Sequence, residues 1–198
     1  MSKLFEPIKI REENIRNRSW VSPMCQYSSE DGFSNNWHMV HLGSRAVGGA
    51  GLVMTEAAAV EPEGRISPWD LGIWKDEHIS GLKEITDFIT SQGSTPAIQI
   101  AHAGRKASTK RPWQGRGKIV KKDGGWVPKG PSAIAFDEES QVPEELSSNE
   151  IEKLIEKFVS AAKRSVKAGF KCIELHLAHG YLAHEFLSPI SNTREDEY

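Results

Sequence analysis

The chain has 198 residues, 38% hydrophobic and 26% charged, with a formal net charge of -2 and two cysteines. A balance so close to neutral gives no electrostatic case for nucleic acid or an anionic membrane surface, and the length is enough to bury a sizeable core. Cys25 and Cys172 lack CxxC spacing, no apolar run reaches the ~18 residues a membrane span needs, and the charged N-terminus is unlike a secretion signal. A cytoplasmic domain with reduced thiols is the expectation.

In chain order, "LFEPIKI" and "IRNRSWVSPM" read as two short extended pieces around the charged turn "REEN". "HMVHLGSRAVGG", His38 to Gly49, has helical spacing and stops at a glycine pair. "GLVMTEAAAV" follows as a nearly continuous apolar strand. "DEHISGLKEITDFITSQG" places Ile79, Leu82, Ile85, Phe88 and Ile89 on one helical face, with Gly93 at the stop. "TPAIQIAHAG" is the next strand; Gln99 lies between Ile98 and Ile100 and so points the opposite way.

Residues 105–146 form a long polar excursion rich in Lys, Gly and Pro, whose basic charges are expected to solvate the loop. Such a loop over a pocket would cap it or alter substrate range. "LSSNEIEKLIEKFVSAAKRSVKAG" then carries a capping box, Ser147 with Glu150, a staple of Leu146 on Ile151, and a predicted stripe of Ile151, Leu154, Ile155, Phe158, Val159 and Ala162. Gly169 ends it. "CIELHLAHGYLAHEFLS" opens as a strand from Lys171 or Cys172, its apolar residues alternating with Glu174 and His176, and closes as a short helical piece.

Strands alternating with helices imply βαβ units and a parallel sheet. No GxGxxG follows the first strand, so a (β/α) barrel is favoured over a dinucleotide fold, although only four βα units are visible where a barrel has eight. In barrels the site is built at the C-terminal ends of the strands. Those ends carry Ser22, Pro23, Met24 and Cys25, with Tyr27 just beyond; Ala57, Ala58 and Ala59; Gln99 to Gly104; and His176, His179 and Tyr181. Small residues leave room for something flat, and an amide such as Gln99 suits a heterocycle edge. Each has a plainer reading as packing or an internal hydrogen bond. A metal at His176 and His179 lacks an obvious third ligand.

The motifs "SPMCQYS", "GRISPWDLGIW", "IQIAHAGRKA" and "IELHLAHGYLAHEFLSP", in this order, resemble the old yellow enzyme family, in particular its bacterial "thermophilic-like" branch of FMN-dependent ene reductases. The resemblance runs from "LFEPI" to "SNTREDEY". It implies an α/β fold, a (β/α)8 TIM barrel of which this chain covers the first four βα units plus an N-terminal hairpin, in a single flavin domain over residues 1–198 that is incomplete at its C-terminal end. It implies that Ser22, Pro23, Met24, Cys25, Ala57 and Gln99 bind FMN, with Cys25 near flavin N5 and Gln99 at the pyrimidine edge. It implies that His176 and His179 hydrogen-bond the activating oxygen of a substrate, that Tyr181 donates a proton, and that Tyr27 touches substrate.

The implied activity is reduction of the activated C=C bond of an enone, with quinones and nitro compounds as further substrates and NADPH or NADH as reductant. The chain stops at Tyr198, where the family pattern continues into a fifth strand. The expectation is therefore a truncation, a split enzyme completed by a complementary half-barrel, or a short non-catalytic form, with weak flavin binding or homo-oligomerisation as consequences.

Overall fold

A computed structural model describes residues 2–115 and 117–198; Met1 and Arg116, the latter in the basic excursion, lie outside the described residues. Strands β1 (Ile8–Ile10) and β2 (Glu13–Ile15) pair antiparallel around Arg11, whose φ of 52° makes the tight turn. Ile8 and Ile15 pack against Leu52, Met54 and Ala97, so this hairpin plugs the inner face of the main sheet at the strands' N-terminal ends.

That sheet has four parallel strands, β3 (Trp20–Val21), β4 (Leu52–Ala59), β5 (Thr95–Ala101) and β8 (Cys172–Leu175), neighbouring in the order in which they occur in the chain. Helices α1 (Asn36–Val47), α2 (His78–Ser91) and α3 (Ser148–Lys167) make the crossovers. Outward-facing Val53 packs with Leu42 and Ala46 of α1 and with Ile85 and Ile89 of α2. Ile98 and Ile100 pack with Leu82 of α2 and with Ile151, Leu154 and Ala161 of α3. One face of the sheet is thus sealed by helices, and the other carries Ala57, Gln99 and Glu174 in register across three strands. This is the arrangement of consecutive βα units of a (β/α) barrel.

Local chemistry explains the helix ends. The Ser147–Glu150 capping box is present, and Asn35 forms a second one with His38, so α1 begins two residues before the apolar spacing indicates. Gly169 adopts φ of 93°, a left-handed value that stops α3 at little steric cost. The α3 stripe is rotated from its predicted position: Ile155 and Val159 are about half exposed, while Ala161 and Ser165 are buried. Small residues allow the close approach to α2, where Thr86 donates to the Ala168 carbonyl at 2.5 Å.

The excursion is folded rather than an open loop. It makes short 3₁₀ turns at Pro112–Gln114 and Lys121–Asp123, and β6 (Lys129–Gly130) pairs with β7 (Glu144–Glu145). Two of its basic residues are tied down, Lys129 meeting Glu150 at 2.6 Å and the Arg111 guanidinium stacking 4.0 Å from the Trp69 ring centroid, while Lys110, Lys118, Lys121 and Lys122 are exposed, as expected of a solvated excursion. At β8 the outward Leu175, and Leu177 beyond it, are both 53% exposed. Helix α4 (Leu182–Leu187) follows. Among the described residues no helix is long and apolar enough to cross a membrane.

Candidate active site

The C-terminal ends of β3, β4, β5 and β8 open onto one trough of about 540 Å³, lined by Ser22, Pro23, Cys25, Ala57, Gln99, Glu174, His176, His179 and Tyr181. Most of the residues singled out in the sequence therefore meet. Met24 does not line it; its side chain is exposed and its carbonyl accepts from the Gln26 amide at 2.7 Å. Tyr27 stands to one side with φ of 51°, its ring edge-on to Trp113 with centroids 5.8 Å apart.

The His-x-x-His pair comes together because the chain turns just past β8. His179 and Gly180 are both left-handed, with φ of 60° and 70°. The ring centroids of His176 and His179 end 5.1 Å apart, and those of His176 and Tyr181 4.9 Å apart, each edge to face. Gly180 N–H donates to His184 Nδ1 at 2.9 Å, which holds the turn. Among the described residues no three His, Cys, Asp or Glu side chains cluster as a metal site would need.

Burial sets the charge states. The Cys25 thiol is pushed up to about 12 by burial, then by the carboxylates of Asp70 and Glu56. Tyr181 is likewise pushed up to about 12, by burial and then by Cys25 and Asp70. Tyr27 rises for the same leading reason. Burial, and then His179, lowers His176. At neutral pH the site thus holds a neutral thiol, neutral phenols and a neutral His176 imidazole, all protonated groups able to donate.

Beneath the trough lie residues that the sequence reading passed over. Asp70 accepts from Ile66 N–H at 2.7 Å and from the Ser67 hydroxyl at 2.6 Å, and burial pushes it up to about 7. It shares the lining of a small cavity with Tyr181, Ala57 and Ala59. Glu56 accepts from Gln26 N–H at 3.0 Å and meets His38 at 3.1 Å, which fixes the backbone next to Cys25. Glu56 lies in the "TEAAAV" strand end and Asp70 in "GRISPWDLGIW"; an acidic residue inside an apolar run was the available signal for Glu56.

The family model described as "NADH:flavin oxidoreductase / NADH oxidase family" matches residues 3–198. The chain is 50% identical to an NADPH dehydrogenase of Bacillus subtilis over 198 residues, which is 99% of this chain and 54% of that protein. It is 48% identical to an NADH:flavin oxidoreductase of Gibberella zeae, covering 100% of this chain and 49% of the other. Among solved structures, morphinone reductase superposes with a TM-score of 0.85 at 26% identity, over 98% of this chain and 53% of that one. The old yellow enzyme homologue from Zymomonas mobilis gives 0.84 at 28% identity, over 99% and 54%. The chain spans about half the length of the curated relatives it matches. A (β/α)8 barrel fold, of which these residues form the first four βα units, follows from those neighbours. By sequence and by fold, this chain belongs to the NADH:flavin oxidoreductase family, the old yellow enzyme group.

Proposed function

We propose that these residues form the flavin face and the substrate-activating side chains of an FMN-dependent reductase that takes electrons from NADPH or NADH and reduces the activated C=C bond of enones, with quinones and nitro compounds as further candidates. The observation that carries this reading is the convergence of His176, His179 and Tyr181 at one end of a trough lined by Pro23, Ala57 and Gln99. The names of relatives point the same way: two are an NADPH dehydrogenase and an NADH:flavin oxidoreductase, and one morphinone reductase structure holds tetrahydroNAD.

The residues fit the ring of the cofactor. Pro23 and Ala57 offer a low apolar wall, and Gln99 spends its amide N–H on Glu174 at 2.5 Å, which leaves its carbonyl oxygen to accept from a ring N–H at the pyrimidine edge. Ser22 and Cys25, just after β3, complete the side of the trough where that ring would lie, and Met24 between them would contribute through its backbone alone. FMN, when bound, supplies the two-electron chemistry, taking hydride from a nicotinamide and passing it to the substrate β-carbon.

The chain's own residues do the rest. Negative charge builds up on the substrate's carbonyl oxygen during reduction, and N–H donors of His176 and His179 aimed at that oxygen stabilise it more in the transition state than in the ground state. Tyr181 keeps its proton until the substrate carbon needs it, because its buried phenol titrates near 12. Tyr27 would close the side of the substrate pocket under Trp113. The 198 residues act as one domain, and further strands, from a complementary half-barrel or a second copy, would pair with the edge of the sheet at β8.

The test is anaerobic. The purified protein is titrated with FMN, bleached with NADPH, and then given 2-cyclohexenone. Return of the oxidised flavin absorbance supports the reading. A flavin that bleaches but is not reoxidised by the enone would overturn the enone assignment, and a protein that takes up no FMN would overturn the cofactor.

A further inference from the structure

Lys106 ends the 3₁₀ turn Gly104–Lys106 that follows β5, and it reaches across to the turn after β8. Its Nζ donates to the His179 carbonyl oxygen at 2.9 Å. The same ammonium lies 5.2 Å from the Tyr181 ring centroid and 4.4 Å from that of Phe136. Its stem runs along Gly180, where an added Cβ would meet Lys106 Cδ at 3.8 Å. His179 itself has a positive φ, a conformation that a non-glycine residue keeps only when its surroundings hold it. The Lys106 ammonium is therefore held by a hydrogen bond to the carbonyl of the positive-φ residue and lies between two aromatic rings.

That placement matters when the phenol reacts. As the O–H bond of Tyr181 breaks and a C–H bond forms at the substrate α-carbon, the O–H electron pair stays behind on oxygen and the ring system gains a full negative charge. A cation that attracts the neutral ring only through its quadrupole then attracts an anion, and the half-buried setting of both side chains leaves that attraction stronger than it would be in bulk water. An interaction stronger in the transition state than before it accelerates the step.

We propose that Lys106 is a positioning residue for this reaction: its ammonium, held by the His179 carbonyl, stabilises the tyrosinate formed when Tyr181 gives up its proton. The proposal rests on the reading of Tyr181 as proton donor.

The experiment is a double-mutant cycle on the flavin-loaded protein, following reoxidation of reduced flavin by 2-cyclohexenone in stopped flow. Lys106→Met should slow that step about tenfold and leave bleaching by NADPH unchanged. Lys106→Arg, which keeps the charge and a donor, should recover most of the rate. In the Tyr181→Phe background Lys106→Met should cost less than about threefold, because no tyrosinate forms there. Lys106→Gln replaces Lys106→Met in the cycle if the methionine variant loses its flavin. Equal costs in both backgrounds would overturn the proposal and leave Lys106 as a brace of the turn. Full activity of Lys106→Met beside a slow Tyr181→Phe would also overturn it while sparing the proton-donor reading. A Tyr181→Phe enzyme that reoxidises at the wild-type rate would remove that reading, and the proposal with it.

Discussion

Gln99 on β5 donates its side-chain amide to the Glu174 carboxylate on β8 at 2.5 Å, from two positions that are direct partners in the parallel register. The bond decides which end of the amide faces the trough. With Nε2 engaged, Oε1 is left to accept. A glutamine alone could rotate and offer either end.

Replacing Glu174 by Leu should therefore weaken FMN binding about tenfold, since it removes one charge-assisted hydrogen bond and lets the amide turn. Gln99→Leu should lose a similar amount, and the double variant little more. Fluorescence titration with FMN measures this, and additive losses would count against one shared contact.

His176→Ala should weaken a phenol ligand, whose oxygen mimics that of the substrate, by about tenfold or more, the cost of one lost donor. Burial and the neighbouring His179 lower the His176 pKa, so the imidazole stays neutral down to below its ordinary 6.5. Affinity should be level from pH 7 to 8. A steep rise on acidification through pH 6.5 would show that the charged form is the one that binds.

Glu61 ties three elements together: it accepts from His102 at 2.7 Å after β5 and pairs with Lys157 on α3. Burial on its own would raise its pKa, but the hydrogen bonds and charges of His102 and Lys157 win and hold it at about 2, below the ordinary 4.5. A carboxylate depressed in the folded state stabilises above its unfolded pKa, and that stability drains away as pH falls from about 4.5 towards 2. The contribution is on the order of 2 kcal/mol, allowing for the half-exposed lysine. Urea unfolding midpoints should fall across that acid window in the wild type and fall less in Glu61→Gln.

Glu185 is the opposite case. It is fully buried, accepts from Arg105 N–H at 3.0 Å through one oxygen, and among the described residues has no hydrogen-bond partner for the other. Burial raises it to about 8. A carboxyl raised on folding is harmless below its unfolded pKa and costs stability as pH climbs from about 4.5 to 8. Glu185→Gln keeps the acceptor and cannot ionise. Relative to wild type it should gain stability steadily between pH 5 and 8, read from thermal midpoints; a constant offset would mean the carboxyl does not titrate in that range.

The sequence by itself determined the strands, the helices and the direction of most site residues. Alternation along β5 turns Gln99 away from Ile98 and Ile100, and the capping residues Ser147 and Glu150 start α3 where they stand. These are local properties, set by a residue's own backbone and its near neighbours in sequence. Three motifs at strand ends, and "GRISPWDLGIW" in the connection after β4, made the family legible for the same reason, since a barrel brings strand ends to one rim whatever lies between them.

Only the tertiary structure decided what meets across that rim. The helical face of α3 rotated towards Ala161 and Ser165 because packing on β5 and α2, rather than the count of large apolar residues, selects the buried side. The excursion brings Trp113 to Tyr27, an edge-to-face contact between residues far apart in the chain. Lys106 reaches the carbonyl of His179 across 73 positions. Asp70 acquires its pKa of about 7 from burial that no local pattern announces. Periodicity reports where a side chain points from its own strand. What it points at depends on long-range contacts, whose free energy is settled only when the whole sheet has closed around them.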